Sequence, residues 1–157
     1  MLLGRRHAPV SSAVALTSGA RPVMLVTLDA PFAPEAASLA VESAVESGQP
    51  LIVVNVAEIA LLPGSLSMGY SYACSDEVEE SLRAPAALAH SLAVKVERLR
   101  VSSPHPVDAL LELIAERRPG LLVLGPDLAR VRRRLYRKAA KRVRADAPCL
   151  VWLADEY

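Results

Sequence analysis

Four short runs of uninterrupted apolar character mark the chain: VMLVTL (23–28), LIVVNV (51–56), LLVLG (121–125) and CLVWLA (149–154). None alternates with polar residues, so they predict strands covered on both faces, as in a parallel sheet. A fifth run, VERLRV (96–101), alternates and carries charge, as an edge strand does. The segments between them read as helices. PEAASLAVESAVES (34–47) gathers Ala36, Leu39, Ala40, Ala44 and Val45 near one side, and Gly48 supplies a stop. HPVDALLELIAERRPG (105–120) has Pro106 in its first turn and Pro119-Gly120 at its end. DEVEESLRAPAALAHSLAVK (76–95) is also helical, with a kink or a second segment expected at Pro85. Val131, Leu135, Ala139 and Val143 recur at four-residue steps and predict the buried stripe of a last helix. ALLPGSLSMGYSYACS (60–75) has no period and reads as a long surface loop.

This alternation of strand and helix implies right-handed crossovers and a three-layer α/β sandwich. In such sheets ligands bind outside the carboxyl ends of the strands. The positions to inspect are therefore Asp29-Ala30-Pro31, Ala57-Glu58, Ser102-Ser103-Pro104-His105 and Gly125-Pro126-Asp127. At 157 residues and 52% apolar, the chain suits one globular domain. Residues 1–20 are expected to be a flexible N-terminal tail, because the apolar core AVAL is too short for a signal segment; the domain then occupies 21–157. No stretch has the length of a membrane span, so no membrane partner is expected. Two cysteines, Cys74 and Cys149, form neither a disulfide framework nor a zinc cluster, and a reducing cytoplasm is the simplest location.

Net charge is +1, yet nine of the 18 lysines and arginines fall between Arg130 and Arg144. This basic helix is either a solvated face or a surface that attracts an anionic ligand or an acidic protein partner. Nucleic acid is disfavoured as a partner because no aromatics interleave with the charge; Tyr136 stands alone. His105 reads as a helix-start residue, and Cys149 as inert core. No His-x-Gly-His, Ser-Gly-Gly-x-Asp-Ser or Walker Gly-Lys-Ser/Thr sequence occurs, and no nucleophile–base spacing is visible, so an enzyme is not expected.

Several segments, in order, resemble the universal stress protein family. VMLVTLDAPFAPEAASLA is similar to its first strand, terminal aspartate and following helix. LIVVNV matches its second strand, HPVDALLELIAERRPGLLVLG its helix and glycine-ended strand, and RVRADAPCLVWLA its last helix turn and final strand. The resemblance spans roughly 21–154 and implies a five-stranded parallel sheet of order 3-2-1-4-5, the adenine-nucleotide α-hydrolase-like arrangement. It also implies a homodimer paired through the last strand, with Trp152 near the contact and dissociation expected when Val151 and Leu153 become lysine. ATP-binding members hold the nucleotide between the first and fourth strands. There Asp29 and Ala30 match positions beside the nucleotide, and Val56 matches the position whose backbone meets the base.

Those members also carry Gly, two residues, Gly, nine residues and Gly-Ser or Gly-Thr after the fourth strand. This chain keeps Gly125 alone: the second glycine falls on Asp127 or Leu128, and the Gly-Ser pair on Arg137-Lys138. A phosphate cradle needs bare backbone N–H groups. Pro126 has none, Asp127 brings a negative charge that is expected to cap the helix start, and Arg137-Lys138 adds bulk. The resulting expectation is a universal-stress-like binding or regulatory domain with no cofactor and without ATP in the family's usual mode. The alternative is a binder of nucleotides or other small anions that uses Arg137 and Lys138 in place of the glycine cradle.

Overall fold

The computed structural model describes residues 20–60 and 75–154. Almost all of the expected tail (1–20) and of the expected loop (60–75), with Cys74, lies outside the described residues. Among the described residues, five strands and four helices alternate: β1 (Val23–Thr27), α1 (Pro34–Ser47), β2 (Leu51–Glu58), α2 (Asp76–Ser91), β3 (Val96–Ser103), α3 (Pro106–Arg117), β4 (Leu121–Leu124), α4 (Arg133–Asp146) and β5 (Leu150–Leu153). The strands form one parallel sheet of order β3-β2-β1-β4-β5, as the resemblance implied.

The unbroken apolar runs have a direct cause. Met24 and Val26 of β1 point into a core made with α3 and α4, whereas Val23 and Leu25 point into one made with α1 and α2. Both faces are covered, so neither set of alternate positions can be polar. Of the two edge strands, β3 keeps charges: Arg100 pairs with Glu79 of α2, and Arg117 of α3 with Glu97. No helix among the described residues is long and apolar enough to cross a membrane.

The helix ends follow local chemistry. Gly48 caps α1 at φ 71, where a glycine carries no Cβ penalty. Ser75 caps α2 by accepting the Val78 N–H at 3.2 Å. Two expectations change. Pro85 lies inside one continuous helix and begins no second segment; its ring is buried in line with Val78, Leu82, Ala86 and Ala89, and that packing offsets the missing hydrogen bond. On α1, Val41 takes the buried place expected of Val45, which is 41% exposed.

α4 also differs in detail. Its helix starts at Arg133, and its buried residues are Tyr136, Ala139, Ala140 and Val143. Leu135 is only partly buried, and Val131 is buried in the turn before the helix. The strict four-residue step drifts around the helix, so the true stripe adds the three-residue steps.

Candidate functional site

Two adjacent central strands, β1 and β4, bring their carboxyl ends together, and the loops that leave them meet. The end of β1 is built around two buried polar side chains, Thr27 and Asn55. The Thr27 hydroxyl donates to the Ala30 carbonyl at 2.6 Å. The Asp29 N–H donates to Asn55 Oδ1 at 2.7 Å, which holds Asp29 at φ 57 in the left-handed region. Aspartate tolerates that conformation better than most residues. Asn55 was legible as the single polar residue inside LIVVNV, yet the apolar pattern alone gave it no role.

The loop after β1 then stitches onto the segment after β4. The Ala33 N–H donates to the Gly125 carbonyl at 2.9 Å, and the Asp127 N–H donates to the Pro31 carbonyl at 2.7 Å. Phe32 and Pro126 lie opposite each other in this short antiparallel bridge. Gly125 itself extends the sheet, its N–H donating to the Val26 carbonyl at 3.0 Å. A Cβ at Gly125 would collide with the Ala36 methyl of α1 and lie 3.7 Å from the Trp152 ring. The glycine that survives from the family signature is therefore required for strand–helix packing, whatever else it does.

Asp127 does cap, but it caps a turn and not the helix. Its carboxylate accepts the Ala129 N–H at 3.0 Å, and its carbonyl accepts the N–H groups of Arg130 and Val131. This Asx turn ends before α4, whose N-cap is Arg132 with no side-chain cap bond. The helix start thus lies some residues beyond the position expected for it.

The turn carries two arginines outward. Arg130 grips Glu77 at the start of α2 with both guanidinium nitrogens, one contact being 2.6 Å. Arg132 reaches Glu58 at the end of β2 at 2.7 Å. The Arg130 guanidinium holds the Glu77 carboxyl below the ordinary carboxylate range, and Glu77 raises Arg130 in turn. Both pairs are open to solvent, so they orient the turn more than they stabilise it.

The remaining candidates are dispersed. The Ala30 side chain is buried in the core, and so is Val56, which lies one residue beyond the last β1–β2 pair and is opposite Val101 of β3. Arg137 and Lys138 are exposed on α4. Lys138 lines a separate cleft of about 230 Å³ with Glu58, His105, Asp108 and Leu135. Asp29, Ala30, Gly125 and Asp127 thus come together, Val56 stands nearby in the next strand, and Lys138 faces elsewhere. His105 is the N-cap residue of α3, and its N–H donates to Ser103 Oγ at 2.9 Å. Burial pushes the half-buried Cys149 thiol up, against the weaker pull of Arg21. Among the described residues, no group of three His, Cys, Asp or Glu side chains is placed to hold a metal ion.

A parallel sheet of this order, with its loops meeting at the β1/β4 switch point, defines the nucleotide-binding-like class of α/β domains. The profile of the universal stress protein family matches residues 19–154, and the chain belongs to that family. No curated protein sequence matches it. Among solved structures it is similar to a universal stress protein in complex with cAMP, at 24% identity and TM-score 0.56, covering 87% of this chain and 98% of that one. A universal stress protein from Archaeoglobus fulgidus in complex with dAMP is 19% identical at TM-score 0.56, covering 85% and 96%. A family protein from Burkholderia pseudomallei is 21% identical at TM-score 0.53, covering 85% and 96%.

Proposed function

We propose that this chain is a universal stress domain that works by binding and regulation, without catalysis, and that it does not hold ATP in a glycine cradle. One observation carries the reading. The backbone N–H of Asp127, at the point where a bare amide would meet a phosphate, is spent on the Pro31 carbonyl, while its carboxylate occupies the amide of Ala129. A triphosphate placed there would meet a proline and a carboxylate, with the Asp127 and Ala129 amides already engaged. Calorimetric titration with magnesium ATP is the test, with cAMP and dAMP alongside because two structural neighbours were crystallised with them. The expected outcome is no low-micromolar, magnesium-dependent ATP binding; such binding overturns the reading.

A second reading rests on α4. Arg130, Arg132 and Arg142 are all ion-paired, but among the described residues Arg134, Arg137, Lys138 and Lys141 make no ion pair. This exposed face attracts an anionic small ligand or an acidic protein. Arg137→Ala with Lys138→Ala should then remove the thermal shift that nucleotides or other anions produce. No shift with any anion in the unmodified protein sinks it.

Assembly is proposed from β5. β3 protects its edge with charge, whereas β5 ends the sheet with Leu150, 74% exposed, beside Val151 and Trp152. A bare apolar edge calls for a partner strand, and a second copy of the same strand supplies one. The cytoplasm remains the location proposed for the domain.

A further inference from the structure

The two faces of the sheet are covered by helices of opposite charge. α1 and α2, on one face, carry seven acidic residues against a single arginine, Arg83, a net charge of −6 with histidine neutral. α3 and α4, on the other, carry eight lysines and arginines against four acidic residues, a net charge of +4. The excess is concentrated on two ridges. At about 100° per residue, Glu35, Glu42 and Glu46 fall within about 40° of one another around α1. This ridge is exposed and lies opposite Ala36, Ala40 and Ala44, which face the core. On α4, the exposed Arg134, Arg137, Lys138 and Lys141 fall within about 100°, opposite the buried Tyr136, Ala139, Ala140 and Val143. None of these seven charged side chains makes an ion pair among the described residues.

Spacing matches as well as sign. Glu35 and Glu42 are seven residues apart, and so are Arg134 and Lys141, which is roughly 10 Å along either helix axis. Beside Glu42 and Glu46 runs a hollow of about 300 Å³, walled by Val45 of α1 and by Leu88 and Leu92 at the end of α2. Leu88 is 51% exposed and Leu92 50%, so the hollow is open to a partner. The methylene stems of lysine and arginine lie readily on apolar surface while their charged heads reach a carboxylate. A basic helix laid along α1 therefore covers the hollow and meets the acidic ridge at once.

We propose that the acidic ridge of α1, with the hollow beside it, receives the basic ridge of α4 from a second copy of this chain. This rests on the reading of α4 as a face that holds an acidic protein, and it names that protein. The ridges point away from opposite faces of the sheet, so the contact is heterologous. Each copy in a pair keeps one ridge free, and copies add head to tail. Neither ridge includes the β5 edge, so the two modes of assembly are independent. Exposed charges supply the attraction, and salt governs it: they act over about 30 Å at about 0.01 M salt but only about 8 Å at about 0.15 M.

Sedimentation velocity on the full chain carrying Leu150→Lys, which removes any β5 pairing, tests this. That chain should be monomeric at about 0.15 M salt, whereas at about 0.01 M larger species should grow with protein concentration. Glu42→Gln with Glu46→Gln should weaken the low-salt association about tenfold or more, and so should Arg134→Gln with Lys141→Gln. All four side chains are exposed, so folding is left intact. The two double variants, mixed, should form a one-to-one pair that grows no further, since one offers only the basic ridge and the other only the acidic one. A monomer at low salt overturns the proposal, as does association that either pair of substitutions leaves unchanged, or a mixture that does not pair. An anion-induced thermal shift lost in Arg137→Ala with Lys138→Ala, in a chain that stays monomeric at low salt, removes the second copy and keeps α4 as an anion-binding face.

Discussion

Gly125 shows how a single residue can be misread as a relic. It survives from a phosphate-binding signature, but the Ala36 methyl stands where its side chain would be. Gly125→Ala should therefore cost about 1–3 kcal/mol by overpacking, measured by denaturant unfolding. Adding Ala36→Gly should recover part of that loss, less about 1 kcal/mol for glycine in a helix; a strictly additive double variant would contradict the steric account. Glu77 gives a second residue-scale test. Its folded carboxyl lies below the ordinary range because Arg130 donates to it. Its contribution is thus complete above the unfolded carboxylate value and fades as pH falls through the lowered folded value. Arg130→Gln should return the Glu77 titration to the ordinary range, as followed by carboxyl carbon NMR, and remove that part of the acid dependence. At this scale the sequence exposed the ends of the apolar runs and so Asp29, Gly125 and Asp127. It did not expose Asn55 or the Asp127–Pro31 pairing, because both depend on a neighbour brought in from another crossover.

Elements were more legible than their boundaries. All five strands lie where uninterrupted or alternating apolar runs put them, since covering both faces of a sheet leaves no other pattern. α4 was harder to place, because Asp127 opens an Asx turn and the helix waits until Arg133. Its buried face was also mistaken in part. Tyr136, absent from the stripe of four-residue steps, is 2% exposed, and its hydroxyl accepts the Ala154 N–H at 3.0 Å. That bond ties α4 to the end of β5. Tyr136→Phe should cost about 1 kcal/mol, through the loss of one hydrogen bond from a buried N–H that keeps its 3.2 Å bond to the Leu124 carbonyl, again read by denaturant unfolding. β5 also bears on assembly. Leu153 is 3% exposed in the core, so Leu153→Lys would unfold the domain and say nothing about the interface. Leu150→Lys is the informative change: light scattering should report a dimer for the unmodified chain and a monomer for the variant. A monomer in both would remove the β5 interface.

At the scale of the molecule, charge is divided between paired and unpaired sets. Arginines of the turn before α4 reach Glu58 and Glu77 across the strand ends, while Arg134, Arg137, Lys138 and Lys141 of α4 make no ion pair among the described residues. An acidic partner held by that face should bind more weakly as salt rises, and exchanging Arg134 and Lys141 for glutamate should abolish binding while leaving unfolding within about 0.5 kcal/mol of the parent. The fold class was legible from the order of apolar runs because crossover handedness leaves few topologies. The partner was not, since a cationic helix face is compatible with many anions.

The central position of β1 has a consequence for how the protein is made. β1 leaves the ribosome first among the described strands, and β2 follows closely, but its other neighbour, β4, begins only at Leu121. Until then one side of the future sheet centre has no mate, and its row of backbone N–H and C=O groups stands unpaired beside apolar side chains in the nascent chain. Long-separated parallel pairing of this kind closes slowly and invites misassociation. Assistance by a chaperone should therefore matter most between the emergence of β1 and that of β4, and ribosome-stalled chains ending before Leu121 should be markedly more sensitive to protease than those reaching past Ala154.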